Sequence, residues 1–199
     1  VLVTYLVGKQ LYPRLAWPAL GKSALVAFIP QHIALTAGVE NDVLAELLLG
    51  IVLWRLVRWL RVDHLLPARY HLITGLIVGL GLLTKLSAYI ALPLALIALL
   101  LKMRGLWLAG WRPLEAPPLL RVAAALFLPA LLIALPWFAR NALVYGDLDL
   151  FGLARHEQVV EGQMRTSEWI ERFGWRNWPG TFARTTFRSF WAQFGWMAV

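Results

Sequence analysis

Apolar residues run along this chain in long blocks separated by short polar turns. The longest block is 71–101, HLITGLIVGLGLLTKLSAYIALPLALIALLL, 31 residues interrupted only by Thr84-Lys85-Leu86-Ser87. As one helix at about 1.5 Å per residue it would be roughly 46 Å long, well beyond the ~30 Å hydrocarbon core of a bilayer. It reads either as one overlong span with Lys85 at its centre, or as a hairpin of two short helices, 71–84 and 88–101, with Lys85 at the turn.

The flanking charges decide between them, because cytoplasmic loops carry an excess of Lys and Arg. Arg55, Arg58, Arg61 and Arg69 precede the block, and Lys102, Arg104, Arg112 and Arg121 follow it. A single crossing would strand one basic cluster outside. A hairpin keeps both inside and puts Lys85 on the extracytoplasmic face. Its arms are short for full spans, so local bilayer thinning or burial against neighbours is expected. The Gly75-xxx-Gly79 spacing lets a second backbone approach one arm.

The same parity orders the rest. Val1 to Val7 reads as the last turns of a descending span, with Lys9 and Arg14 in the loop after it. A second span covers about 16–37, with Lys22 snorkelling and Pro30 bending the helix. Gln31 and His32 follow that proline at membrane depth. His32 reads as a hydrogen-bonded packing residue between helices or as a proton or ligand site. Gly38-Val39-Glu40-Asn41-Asp42 forms an outside turn, in which Asn41 or Asp42 can cap the span 43–60. Trp107 and Trp111, one turn apart among basic residues, anchor a cytoplasmic linker at the headgroup level. Pro113, Pro117 and Pro118 end that linker as an extended lead into a span at about 122–138, which carries Pro129 and Pro136.

The predicted fold is therefore all-α, a polytopic membrane bundle of about six spans or part-spans. Its helical core covers 1–138, truncated at its N-terminus, and an extracytoplasmic interfacial segment, 139–199, leads into a further span. Hydrophobic residues make up 60% of the chain, which excludes an ordinary soluble domain. The net charge of +8 sorts by side: the predicted cytoplasmic segments hold 11 Lys/Arg against Asp63 and Glu115. That is topology, not a nucleic-acid patch. Absence of cysteine removes disulfides and thiolate metal sites. The chain opens within an apolar run and stops at Trp196-Met-Ala-Val where another begins, so it reads as a fragment.

Residues 139–199 hold seven Arg, six acids and five of the eleven Trp. Phe187, Phe190, Trp191 and Phe194 recur at helical spacing, with Arg184 and Arg188 one turn apart. This describes an amphipathic helix in the interface, its Arg solvated, bound to lipid phosphate, or meeting the phosphate of a lipid-linked substrate. His156 with Glu157 and Glu161 has ligand chemistry at helical spacing, but with a single His the reading places no metal there.

Ala27-Phe-Ile-Pro30 through Asn41-Asp42-Val-Leu-Ala45, then Gly79-Leu-Gly-Leu-Leu-Thr-Lys85 followed by Ala91-Leu-Pro93, then Pro136-Trp-Phe-Ala-Arg-Asn141 with Tyr145-Gly-Asp147, form a pattern spread over most of the chain. It resembles the membrane core of bacterial glycosyltransferases that use polyprenyl-phosphate sugars, the C-type fold enzymes of the family 39, protein mannosyltransferase-like group. The ending Ser189-Phe-Trp-Ala-Gln-Phe-Gly-Trp196 is similar to a neighbouring group of multispanning proteins without an assigned activity.

The resemblance implies inverting sugar transfer from a lipid-phosphate donor at the extracytoplasmic face of a bacterial plasma membrane. Such chemistry needs a carboxylate for the acceptor hydroxyl and a cation for the departing phosphate. In that family the carboxylate lies in the first extracytoplasmic loop, which is expected upstream of Val1. On the topology alone, Lys85 and Arg140 are candidates for the phosphate, against a snorkelling lysine and an ordinary helix-end charge. Glu40 and Asp42 are candidate carboxylates that can bind a divalent cation or hold those bases in place. Asn141 and Asp147 read as residues that cap and turn the chain. The competing reading is a non-catalytic multispanning protein, a transporter or flippase half or a polymer-assembly scaffold.

Overall fold

In the computed structural model, described for residues 1–38, 40–110, 117–146, 149–160 and 165–191, all regular structure among the described residues is helical. The α-helices are α1 (Leu2–Leu11), α2 (Trp17–Ala27), α3 (Pro30–Ala37), α4 (Asn41–Arg61), α5 (Ala68–Thr84), α6 (Ala91–Leu108), α7 (Pro117–Tyr145), α8 (Leu153–Val159), α9 (Thr166–Phe173) and α10 (Trp178–Phe190). By length and composition, Leu86–Leu108 and Leu119–Tyr145 can each cross a membrane, and Ala68–Thr84 is a shorter apolar helix.

The long apolar block is a hairpin. α5 stops at Thr84, Lys85 is extended (φ −161°, ψ 148°), and a 3-10 turn over Leu86–Ile90 feeds α6. The contacts at the two ends of α4 give the helix directions. Asn41 Nδ2 donates to Thr84 O at 2.9 Å, while Arg55 Nε donates to Thr74 Oγ1 at 2.8 Å, so α4 and α5 are antiparallel. Asp42 meets Lys85 and Lys102 Nζ donates to Trp59 O at 3.2 Å, so α4 and α6 are parallel.

The arms of the hairpin seat on other helices more than on each other. α5 packs chiefly on α7, running the same way. Buried Val122, Leu126, Ala130 and Ala134 form a four-residue ridge on α7. Opposite it, a Cβ added to Gly75 would lie 3.0 Å from the Leu126 carbonyl carbon and closer still to its oxygen, and one on Gly79 would lie 3.0 Å from Ala130 Cα. The Gly75-xxx-Gly79 expectation holds, with its partner now identified. A second reason for the close approach is Pro129, which has no N–H and so leaves the Ala125 carbonyl, four residues back, without its helical donor. The same Gly75 Cβ would sit 3.0 Å from that oxygen, so a glycine Cα hydrogen faces it instead.

Several expected boundaries move. The span at 16–37 is not bent but broken: Ile29 is extended (φ −68°, ψ 120°), as residues before proline prefer, and Pro30 opens α3 as its first residue. α4 begins earlier than 43, and its N-cap is Glu40 with no side-chain cap, since Asn41 and Asp42 bond elsewhere. α6 continues to Leu108, so Lys102 is a buried residue of the helix and not part of a loop. Pro117 starts α7, where a missing N–H costs nothing, in place of the extended lead. α7 then passes through Pro129 and Pro136 to Tyr145, seven residues beyond the expected end at 138. Trp111, Arg112, Pro113, Glu115, Asp147, Glu161, Phe194 and the ending at Trp196 lie outside the described residues.

At the basic end, cations close backbone carbonyls. Lys102 also donates to Val62 O, and Arg61 to Leu11 O. Arg55, expected as a flanking charge, donates to Tyr70 O at 2.6 Å and lies 4.0 Å over the Tyr70 ring, while Tyr70 OH donates back to Arg55 O at 2.7 Å. Each bond meets a carbonyl that helix geometry leaves open or doubly available. Beside them Trp59 and His71, both about 1% exposed, meet edge to face at 4.6 Å.

Candidate functional site

The start of α4, the end of α5, the start of α6 and the end of α7 converge at the opposite end of the bundle. Two carboxylates stand one turn apart on the first turns of α4, and each clasps a base from a neighbouring segment. Asp42 Oδ2 accepts from Lys85 Nζ, with both side chains partly buried. Glu46 Oε2 lies 3.1 Å from His32 Nδ1 on α3. Four helical residues rise about 6 Å, so the two pairs are close along the axis.

The first pair explains the helix break. A lysine in so apolar a run is expensive without a partner, and leaving the helix at residue 85 lets its ammonium reach Asp42. Of the two expected roles for Asp42, holding the base is the one its geometry displays. Glu40 is brought to the same end but makes no ion pair among the described residues.

Arg140 is not beyond a span end; it sits inside α7, little more than a turn before Tyr145. Its Nη1 donates to Tyr145 OH at 2.8 Å and to Asn141 Oδ1 at 3.1 Å, and its guanidinium lies 5.4 Å from the Trp137 ring and 5.1 Å from the Tyr145 ring. Asn141, 1% exposed, donates from Nδ2 to Leu150 O at 2.9 Å. Instead of capping, it folds the segment after α7 back onto the helix. Tyr89 of the Lys85 turn packs on Phe138, centroids 6.2 Å apart, and both rings touch Phe151. This aromatic cluster joins the turn bearing Lys85 to the helix bearing Arg140.

α8, α9 and α10 sit at this end too. α10 touches α3 and α9. Phe187 and Phe190, with Trp191 after the helix end, are exposed, as are most residues of α10. Glu157 pairs with Arg165 at 3.3 Å, and no cluster of three potential metal ligands occurs among the described residues.

Glu46 is the residue that sequence reading misses. It is an acid within an apolar span, one turn after Asp42 and within reach of a histidine that follows a proline break; those three signals together could have found it. His32, Thr36 and Glu46 line a groove of ≈ 530 Å³ whose other walls are Val1, Val3, Val7, Leu47 and Leu53 among others. Asp42 and Lys85 are not among its lining residues. A smaller hollow of ≈ 310 Å³, by Trp137, Asn141, Tyr145 and His156, lies near the end of α7.

No protein-family model, curated protein or solved structure matches this chain.

Proposed function

We propose that this chain is a polytopic membrane bundle forming part of a glycosyltransferase, one that moves a sugar from a polyprenyl-phosphate donor to an acceptor at the extracytoplasmic face of a bacterial plasma membrane. Membrane residence is supported by where the apolar surface lies. Only 33% of the apolar window in Leu86–Leu108 and 28% of that in Leu119–Tyr145 is buried inside the bundle. Leu96, Ile97, Leu100, Leu128, Leu131 and Leu135 all face outward. A core helix of a soluble protein would be mostly covered.

The observation that carries the transferase reading is the sorting of charge between the two ends. At one end, Arg55, Arg61 and Lys102 are spent on carbonyls within a basic cluster. At the other, carboxylates and bases are paired, beside Arg140 on its aromatic shelf. Planar guanidinium and an ammonium held by a carboxylate suit a phosphate monoanion arriving in the headgroup layer. Lys85 and Arg140 are the proposed phosphate residues, and Asp42 keeps Lys85 in place.

The test has two parts. Lys85→Cys in this cysteine-free chain should be labelled from outside intact cells by an impermeant thiol reagent, with a cysteine at Arg61 protected. Purified protein in lipid nanodiscs should bind a polyprenyl-phosphate-linked sugar, and Lys85→Ala with Arg140→Ala should weaken that binding at least tenfold. Labelling at position 61 but not 85, or donor affinity unchanged in the double variant, overturns the reading.

One observation favours the competing class. A helix broken at Phe28-Ile29 and an ionisable pair just beyond it are also what secondary transporters place on their substrate path. A transporter or flippase half would move the intact lipid-linked sugar across the membrane of sealed vesicles without cleaving it, whereas the transferase releases polyprenyl phosphate.

A further inference from the structure

We propose that the apolar groove between α5 and α7 seats the polyprenyl chain of the lipid-linked donor, whose phosphate is held above it by Arg140 and Lys85; this rests on the phosphate residues of the transferase reading. The groove, ≈ 480 Å³, is lined by apolar residues alone, among them Leu72 and Leu76 of α5 and Ala125, Pro129 and Ile133 of α7. Leu72, Leu76, Leu128 and Leu132 along it are exposed, so it opens outward, where lipid lies.

Helix geometry leads this groove to the cations. Residues four apart form inclined rows on a helix surface. On α7 the buried row of Val122, Leu126, Ala130 and Ala134 carries α5. Beside it stand Ala125, Pro129 and Ile133, and their row continues to Trp137, whose ring lies 5.4 Å from the Arg140 guanidinium. Leu128 and Leu132 begin the next row, which passes Pro136 and reaches Arg140 itself. Both rows climb from the groove to one cation.

The other wall brings the second cation to a similar height. Gly75 meets Leu126 and Gly79 meets Ala130, a constant offset of 51 residues between the parallel helices. That offset sets Lys85, just past the end of α5, level with Pro136, about 6 Å below Arg140 along the axis. From Ile133 to Arg140 the rise is about 10 Å, which the first part of the chain crosses before the groove takes it. Lipid tails are as apolar as these leucines, so seating a chain gains packing and not hydrophobic burial. The groove therefore favours a chain already tethered at the phosphate, where its local concentration is high. One groove below one pair of cations fits a lipid with a single chain on its phosphate.

The experiment uses the full-length protein in nanodiscs with polyprenyl monophosphate carrying a photoactivatable diazirine about 10–20 Å along the chain from the phosphate. Insertion should map to residues 72–76 and 124–133. Excess unlabelled polyprenyl phosphate should remove it, and the same excess of dioleoyl phosphatidic acid should not. Leu76→Trp fills the groove and should lower insertion at least about tenfold. Leu131→Trp, on the exposed surface of α7 outside the groove, should leave it unchanged. Insertion mapped elsewhere in the parent, equal loss to dioleoyl phosphatidic acid, or full insertion in Leu76→Trp overturns the inference. The parent's map decides even where Leu76→Trp does not fold. Because the probe carries no sugar, the two readings fail separately. A mapped groove in a protein that never releases polyprenyl phosphate from a sugar-bearing donor overturns the transferase and leaves the groove. Sugar transfer with insertion elsewhere overturns the groove and leaves the transferase.

Discussion

Gly75 of α5 and Leu126 of α7 approach so closely that a single added methyl would lie 3.0 Å from the Leu126 carbonyl carbon and nearer still to the oxygen it carries. The obstacle is backbone, which cannot rotate aside. Gly75→Ala should therefore push α5 off the α7 ridge and cost about 3 kcal/mol, the upper part of the range for overpacking. Gly105, where an added methyl would meet nothing within 4 Å, should accept Ala without loss. Thermal unfolding in one detergent, comparing the two variants with the parent, checks both.

Lys102 should tolerate loss of its charge better than reversal. Lys102→Met leaves the Trp59 and Val62 carbonyls short of a donor but also removes a buried ammonium, so the expected change is within about 2 kcal/mol. Lys102→Glu sets a carboxylate against two carbonyl oxygens and should cost about 3–5 kcal/mol. Equal melting temperatures for these two variants would show that the ammonium is not closing α4.

The Asp42 and Lys85 pair should couple. Both side chains keep some exposure, 25% and 38%, which limits the interaction to about 1 kcal/mol. Asp42→Asn and Lys85→Met should each destabilise, and the double variant should lose less than their sum. A double-mutant cycle that closes additively rejects the pairing.

The exposed aromatic face of α10 should lie in lipid. In vesicles containing brominated acyl chains, tryptophan emission should be quenched, and Trp191→Phe should remove a measurable share of the quenchable signal. Phe187→Ser with Phe190→Ser should lower that quenching further by lifting the helix. Emission unaffected by brominated lipid at position 191 would place α10 in water.

Much of the architecture is legible in the chain because the relevant residues act locally. A lone lysine in an apolar run and basic flanks on both sides point to a turn, and the turn is there. Two glycines four apart announce a close contact, and the contact is there. What the sequence does not carry is the partner. Any ridge of small residues could fill the α5 groove, and only the fold selects Val122, Leu126, Ala130 and Ala134. Prolines mislead at two places: Pro30 breaks a helix where a bend is expected, and Pro117 begins one where an extended lead is expected, whereas Pro129 and Pro136 stay inside a helix as expected. Pro30 and Pro117 stand at helix starts, where a missing N–H costs nothing, whereas Pro129 lies inside α7 and frees the Ala125 carbonyl. Glu46 is hard to single out because one acid fits within a helical span as readily as at its surface, and Arg55 because its tyrosine lies 15 residues away on the next helix.

The parallel seating of α5 on α7 also sets an order of assembly. Gly79 and Ala130 are 51 residues apart in the chain, with the whole of α6 between them. At about 5–20 residues per second, a ribosome needs roughly 3–10 s to supply the second surface after the first. Through that interval the glycine face of α5 lacks the α7 surface that covers it in the folded chain. The nascent hairpin therefore matures late, and variants that widen the groove should be recognised by quality-control proteases before the chain is complete.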